Sequence, residues 1–228
     1  MTNMTLYSGP LSMFGAKAQI ACLEKGLPIR LVMVPFTMDH RYEPKHPEVL
    51  RINPKRQVPV LVHGDVEIFD SSQIFEYLEH FQPQPALWPA DPAARARARL
   101  LELESDEVFF PLIIRLMGLQ DRLADPAAQD AIAQAQRYYA KMNVLLTGRS
   151  CLAGDYTYAD IAFYMAQLFA ARLGVPMNTG TPHLLSWRER LTARPAVNQV
   201  VRQFADTLTS YKLQIPDFIE RAAAAHGS

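Results

Sequence analysis

The feature of this sequence that most constrains its fold is a change of pattern at the proline-rich segment QPQPALWPAD, residues 82–91. Before this segment, short runs of alternating β-branched residues mix with helical spacing, whereas beyond it every signal is helical. Such a change indicates two domains of different class. We therefore predict an α/β domain over residues 1–82, a linker over 83–91 and an all-α domain over 92–228.

The first domain is predicted to contain strands and helices in the order βαβ followed by ββα. Alternating apolar and β-branched residues predict strands, and two of them, joined by the turn HGD, have the spacing of a hairpin. A helix is expected between the first two strands, a short one near Glu48–Arg51, and another over 70–81. This order is typical of a compact α/β layer. The predicted strands are 4–7, 29–34, 58–62 and 66–69.

The second domain is predicted from its helix signals. An aspartate followed by proline places an N-cap directly before a first helical residue that needs no N–H. Pro111 is expected to kink the first long helix. Thr157 and Asp160 have the spacing of a capping box at the start of an almost wholly apolar helix over 157–174, which we expect to be buried. The two aspartate–proline starts are Asp91–Pro92 and Asp125–Pro126.

Composition and charge exclude several classes of function. The 23 basic and 23 acidic residues balance, which gives no electrostatic footprint for nucleic acid. No secretory signal is recognised and no apolar run is long enough to span a membrane, so we expect a cytoplasmic protein without a membrane partner. The two cysteines, Cys22 and Cys151, form neither a disulfide framework nor a zinc motif, and Cys22 is expected to be a buried apolar residue. The histidines show no metal-ligand spacing, and no metal is expected.

The strand RQVPVLVHGD, residues 56–65, carries a proline near its start. Proline has no N–H and cannot donate to a sheet ladder, so it is expected only at strand starts, edges or bulges. An ordinary strand-start proline accounts for Pro59. The alternative is that the sheet edge before Pro59 is used by a ligand.

Several stretches, taken together and in order, resemble the cytosolic glutathione transferase superfamily in its bacterial, serine-type form. This resemblance covers almost the whole chain and implies a thioredoxin-like N-terminal domain, an all-helical C-terminal domain and a homodimer. The opening MTLYSGP also resembles, more weakly, the stringent-starvation-protein branch, which acts on RNA polymerase. The stretches are LYSGPLSMFGAKAQIACLEKG, NPKRQVPVLVHG, DSSQIFEYL, GDYTYADIA and LLSWRERLTARPAV.

The resemblance implies a glutathione site in the first domain. It implies a cis peptide bond before Pro59, and Val58 would pair its backbone with the cysteinyl part of glutathione as an added strand. Ser71 and Asp70, at a helix start, would hold the γ-glutamyl carboxylate and ammonium; plain N-capping by Asp70 or Ser71 is the alternative. Gln57 is expected near the glycyl end. Phe14 completes this set, with Lys45 and Arg56 as nearby charges or as solvated surface.

The resemblance also implies a catalytic hydroxyl. Ser12 aligns with the serine of the family pattern S-P-F-x-x-K, although Met13 replaces its proline. A hydroxyl that donates to the glutathione thiolate, helped by the dipole of the following helix, lowers the thiol pKa. Tyr7 and Ser8 are rival donors, and an N-cap is the alternative role for Ser12. The hydrophobic electrophile is expected to meet the helix that carries Phe109, Phe110 and Arg115, although aromatic residues at helical spacing more often belong to a core.

We therefore predict a glutathione transferase that activates glutathione as a thiolate and conjugates it to a small hydrophobic electrophile, a detoxification reaction. One alternative is a non-catalytic interaction protein on the same scaffold. The other keeps the glutathione site but performs isomerisation, dehalogenation or peroxide reduction. Glutathione is the co-substrate in the predicted reaction, and affinity for glutathione separates it from the non-catalytic alternative.

Overall fold

The computed structural model describes residues 4–224, and its strands form a single mixed sheet. The strands are β1 (Met4–Ser8), β2 (Ile29–Met33), β3 (Val60–His63) and β4 (Val66–Phe69). Their order across the sheet is β2-β1-β3-β4. β1 runs parallel to β2 and antiparallel to β3, and β3 forms a hairpin with β4. The predicted βαβ-ββα order, a thioredoxin-like arrangement, is confirmed.

Ten α-helices occur within residues 4–224. Two helices begin where an aspartate followed by a proline predicts a start. Asp91 caps the fourth helix and Asp125 caps the sixth. The helices are α1 (Met13–Glu24), α2 (Pro47–Ile52), α3 (Ser71–Phe81), α4 (Pro92–Glu104), α5 (Phe110–Met117), α6 (Pro126–Leu145), α7 (Tyr158–Arg172), α8 (Pro182–Thr192), α9 (Pro195–Ser210) and α10 (Asp217–Ala224).

The described chain divides into two compact units. The first comprises the residues up to Ala86 together with Pro195–Leu213, and the second comprises Leu87–Arg194 together with the chain from Gln214. The first boundary lies near the predicted linker. The prediction assigned all residues after 92 to the helical domain, whereas α9 packs on α1 and so belongs to the first unit. The reason is packing between distant parts of the chain, which local sequence patterns do not report.

Helix α1 is covered on nearly every side. It packs against β1, α3 and α9, and Ile20, Ala21 and Cys22 have no exposed surface. Cys22 is therefore the buried apolar residue that the sequence predicts, and burial raises the pKa of its thiol to about 12. The start of α1 is consequently held in a fixed position relative to the sheet.

The long helix that begins at Pro92 does not continue unbroken into α5. A π-helical segment, Ser105–Phe109, lies between α4 and α5. Pro111 then lies in the first turn of α5 and, having no N–H, cannot donate to a carbonyl of the π-helical segment before it. The hydrogen-bond register of the helix therefore changes directly before Pro111, and the kink expected there stays a prediction.

Helix α7 forms the centre of the second unit, as predicted. Its capping box is present: Asp160 Oδ2 accepts a hydrogen bond from the Thr157 N–H at 3.0 Å. The other carboxylate oxygen of Asp160 accepts from the N–H of Leu152 at 2.9 Å and from Trp187 Nε1 at 2.8 Å. Asp160 therefore ties the start of α7 to α8 and to the preceding turn. None of the helices within 4–224 has both the length and the apolar character that crossing a membrane requires.

Candidate functional site

Ser12 caps helix α1, with its Oγ accepting a hydrogen bond from the N–H of Gly15 at 3.0 Å. Its side chain is half-buried. A hydroxyl that accepts this bond still has its own hydrogen to donate. The dipole of α1 adds partial positive charge at the same point. The arrangement can stabilise a negatively charged sulfur atom placed beside Ser12.

The two rival hydroxyls lie in different surroundings. Ser8 has no exposed surface, and its Oγ is 2.7 Å from Gln19 Nε2, which donates to it. Ser8 therefore has no surface through which to contact a ligand. Tyr7 keeps some exposed surface and packs its ring against His46, with 4.9 Å between ring centroids. Of the three candidate hydroxyl residues, Ser12 and Tyr7 therefore keep exposed surface.

Gly15 lies close to the side chains of both Ser8 and Ser12, a proximity that the sequence does not predict. A Cβ atom on Gly15 would collide with the Oγ of Ser8 and would lie 3.1 Å from the Oγ of Ser12. Only glycine therefore allows the first turn of α1 to approach both hydroxyls. On the other side of the loop, Leu11 donates its N–H to the hydroxyl of Tyr42 at 3.2 Å. These contacts fix the loop that presents Ser12.

Val58 lies between a turn and the start of β3. The Val58–Pro59 peptide bond is cis, as predicted, and β3 begins only at Val60. Within residues 4–224, neither the N–H nor the C=O of Val58 takes part in a hydrogen bond. Its side chain packs against the cluster of Val34, Val49 and Val60. The backbone of Val58 is thus held in place with a donor and an acceptor still available.

Asn53 supports the turn before Val58, and the sequence analysis missed this role. Its Nδ2 donates to the C=O of Gln57 at 2.6 Å, and its Oδ1 accepts from the N–H of Lys55 at 2.9 Å. Arg56, which has a φ of 55°, donates its N–H to the C=O of Asn53 at 2.8 Å. The dipeptide Asn53-Pro54 was the available signal, because this pair favours turn initiation. The turn leaves the side chains of Arg56 and Gln57 exposed.

Asp70 and Ser71 lie at the start of α3. Asp70 has a φ of 76°, and its Oδ1 accepts from the N–H groups of Ser72 at 3.0 Å and Gln73 at 3.4 Å. Ser71 is the first residue of the helix and is 2% exposed. Asp70 thus has the capping role that the sequence allowed. Its second oxygen and the helix start remain features that suit a zwitterionic ligand group.

Of the other predicted residues of the first unit, Phe14 lies in α1 and Lys45 lies shortly before α2. Phe14 is half-buried, and the Nζ of Lys17 lies 5.3 Å from the centroid of its ring. Lys17 is fully buried and also contacts the ring of Phe75 at 5.2 Å. Lys45 forms an ion pair with Glu43 at 3.3 Å.

In the second unit, the residues predicted to meet the electrophile have contrasting exposure. Phe109 is fully buried, and Phe110 is 5% exposed. Arg115 is exposed and lies 3.4 Å from Asp130. Phe109 therefore acts as a core residue in this structure, and the assignment of an electrophile site to these residues stays a prediction. The rings packed against Phe109 are those of Tyr138, Tyr139 and Phe163. Across residues 4–224, no group of three or more His, Cys, Asp or Glu residues is placed to hold a metal ion.

Comparison with known proteins agrees with this fold. The chain matches family models described as the N-terminal domain of glutathione S-transferase over residues 6–86 and its C-terminal domain over 104–195. It is 30% identical to glutathione S-transferase 3 of Zea mays over 215 residues, covering 88% of this chain and 94% of the maize protein. A solved structure of the Tau class glutathione S-transferase from mango, Mangifera indica, is similar with a TM-score of 0.76 and 27% identity, covering 91% of this chain and 97% of the mango chain.

A second group of relatives matches only part of the chain. The stringent starvation protein A homolog of Coxiella burnetii is 36% identical over 109 residues, which is 47% of this chain and 48% of that protein. The chain thus matches about half the length of this relative, whereas the similarity to the maize enzyme runs through both domains. Domain matches, full-length similarity and the observed architecture agree, and the chain belongs to the glutathione S-transferase family.

Proposed function

We propose that this protein is a glutathione transferase in which Ser12 stabilises the thiolate of bound glutathione. The observation that carries the proposal is the hydroxyl of Ser12 at the start of α1, half-buried, accepting one hydrogen bond and retaining a hydrogen to donate. A thiolate is the nucleophilic form of a thiol, and a hydrogen bond donated to it lowers its pKa.

The remaining residues of the proposed site bind the tripeptide backbone. The available N–H and C=O of Val58 suit the two hydrogen bonds of an added strand, with the cysteinyl residue of glutathione as that strand. The γ-glutamyl end would lie at the start of α3, with its carboxylate near Ser71 and its ammonium at the second oxygen of Asp70. Gln57, exposed beside Val58, would meet the glycyl end, and Phe14 would border the sulfur.

The proposed reaction uses one bond-forming step. The glutathione thiol loses its proton to solvent, and the thiolate attacks the electrophilic carbon of a small hydrophobic substrate. With an aryl halide, the new carbon–sulfur bond replaces the carbon–halogen bond and halide leaves; with an epoxide, the ring opens and the alkoxide takes a proton from water. Detoxification of such compounds in the cytoplasm is the role that we propose.

The experiment is a calorimetric titration with glutathione, followed by turnover assays with aryl halides, epoxides, peroxides and a cis-alkene acid. Saturable glutathione binding together with conjugation of an aryl halide or epoxide supports the proposal. Turnover of the peroxide or the alkene alone would instead assign a glutathione-dependent reductase or isomerase to the same site. Sedimentation is expected to show a homodimer, and a mass of 25.7 kDa that does not change with concentration would contradict that expectation.

A second candidate function follows from the relatives named stringent starvation protein A. Their similarity covers about half of this chain, and an interaction protein on this scaffold needs no glutathione. That candidate predicts no measurable glutathione affinity and no effect of Ser12 substitution on any turnover. Measured binding of glutathione therefore separates the two candidates.

A further inference from the structure

A small cavity in the second unit, open to solvent, is lined by basic and hydroxyl-bearing side chains, all of which are exposed. Its volume is about 230 Å³. Three of the lining residues, His183, Ser186 and Arg190, are spaced three and four apart on α8, so they share one face of that helix. The lining residues are Leu146, Gly148, Arg149, Ser150, His183, Ser186 and Arg190.

The opposite wall is a tight turn after helix α6. Thr147 donates its N–H to the C=O of Val144 at 3.1 Å, and Arg149 donates to the C=O of Leu146 at 3.0 Å. Gly148 has a φ of 71°, a conformation that side chains rarely adopt. This turn places Arg149 and Ser150 on the cavity wall.

The charged side chains that line the cavity are all basic. Arg149 and Arg190 line it, and no aspartate or glutamate does. Within residues 4–224, neither arginine forms an ion pair with a carboxylate, although the chain as a whole has equal numbers of acidic and basic residues. Arg190 donates from Nη2 to the C=O of Ser150 at 2.9 Å, which holds its guanidinium beside the turn. Two positive charges are therefore gathered at a concave surface, and neither has a carboxylate partner among residues 4–224.

The start of α8 adds to this charge. The helix begins at Pro182, and Thr181 forms no side-chain cap. Asn143 Oδ1 accepts a hydrogen bond from one N–H of this helix start, that of Leu184, at 3.2 Å. The positive end of the helix dipole therefore lies close to His183 and strengthens the attraction for an anion.

We infer that this cavity binds a tetrahedral oxyanion of the phosphate type. Arginine forks match phosphate oxygens with paired hydrogen bonds, and donors that converge from two elements suit a group with oxygens in several directions. The cavity is smaller than the roughly 300–1,000 Å³ of sites for drug-sized ligands. Its ligand is therefore free phosphate or the phosphoryl group of a larger molecule whose remainder stays outside. None of its lining residues belongs to the proposed glutathione site.

The test is calorimetric titration of the full-length protein with sodium phosphate at constant ionic strength. We expect saturable binding that weakens roughly tenfold in Arg149→Gln and in Arg190→Gln, because each change removes a charge-assisted hydrogen bond. Arg137→Gln removes an exposed arginine of α6 outside the cavity and should bind phosphate as the wild type does. Acetate titrated in the same way should bind far more weakly.

Ser186→Asp keeps both arginines and introduces a carboxylate into the lining, so it should abolish phosphate binding in a protein whose circular dichroism is unchanged. Glycerol 3-phosphate binding as tightly as phosphate would identify a phosphoryl group on a larger ligand, and its exclusion would identify free phosphate. Absence of saturable binding, equal binding in Arg137→Gln and the two cavity variants, or acetate binding as tightly as phosphate would overturn the inference.

Discussion

Helices α1 and α7 both begin at a hydroxyl N-cap, yet the two hydroxyls lie in contrasting surroundings. Thr157 is 1% exposed and belongs with Asp160 to a hydrogen-bond network buried within the second unit. Ser12 is half-buried and accepts one hydrogen bond, from Gly15. A buried, saturated cap can only stabilise the fold, whereas a half-buried cap with a hydrogen to donate can also act on a ligand. Capping alone therefore does not identify a site; exposure and spare hydrogen-bonding capacity do.

The largest expected effect is on the buried cap. Asp160→Asn replaces one accepting oxygen by an amide donor, which leaves buried N–H groups without a partner, so we expect the free energy of unfolding to fall by about 3 kcal/mol. Urea denaturation measures this loss. Asp155→Asn, at an exposed position just before the helix, should have almost no effect. An equally small effect of Asp160→Asn would contradict a large contribution of the buried cap to stability.

Gly15→Ala should disturb the start of α1 itself. Alanine ordinarily favours a helix, but here its Cβ overlaps the buried Oγ of Ser8, so we expect destabilisation of about 1–3 kcal/mol. Thermal unfolding measures it. Gly118→Ala is the matched control, because its nearest neighbour is the C=O of Arg115 at an ordinary 3.6 Å. Equal melting temperatures for the two variants would contradict the close approach described here.

Ser12→Ala tests the exposed cap directly. Loss of one hydrogen bond to a charged sulfur is expected to be about 1.5–3 kcal/mol, which raises the pKa of bound glutathione by roughly one to two. Turnover at neutral pH should fall by a similar factor and recover partly at higher pH, while glutathione affinity changes little. Ultraviolet absorbance of the thiolate against pH measures the shift. Ser12→Thr keeps a hydroxyl, so its bound glutathione should have a pKa close to that in the wild type. If the wild type, Ser12→Ala and Ser12→Thr give superimposable titrations, Tyr7 or the N–H groups of α1 stabilise the thiolate instead.

The smallest expected effect on stability concerns the cap of α3. Asp70→Ala should lower the free energy of unfolding by about 1 kcal/mol, the usual value for an N-cap, and should also weaken glutathione binding measured by calorimetry. Asp91→Ala removes a comparable cap, in which Oδ1 accepts from the N–H of Ala94 at 2.8 Å. It should cause the same loss of stability with no change in glutathione affinity. If the two variants bind glutathione with the same affinity, Asp70 acts only as an N-cap.

Much of the fold follows from local patterns. The strands, the hairpin and the helix starts at Asp91, Asp125 and Thr157 depend on residues within a few positions of one another, and the structure confirms them. The place of α9 depends instead on packing against α1, far away in sequence. The π-helical segment before Pro111 was also missed, because a proline indicates an interruption but not how the preceding turn absorbs it.

For the candidate site, the sequence proposes residues but does not report their surroundings. The family pattern favours Ser12 and leaves Tyr7 and Ser8 as rival donors, and the burial of Ser8 removes it from the choice. Gly15 was missed because its importance lies in two side chains that approach it in space. Asn53 could have been found, since an asparagine before proline favours a turn that its own side chain can close.

Because α9 belongs to the first unit, that unit combines distant parts of the chain, and this affects when the unit can be completed during synthesis. Tyr211 donates its hydroxyl hydrogen to the C=O of Phe36 at 2.7 Å, across 175 residues of sequence. At a synthesis rate of about 5–20 residues per second, Tyr211 is added roughly 9–35 s after Phe36. During that interval the sheet and α1 have left the ribosome while α9, which covers one side of α1, is still unmade. The first unit is therefore completed only after α9 has been made, and until then α1 lacks its contact with α9.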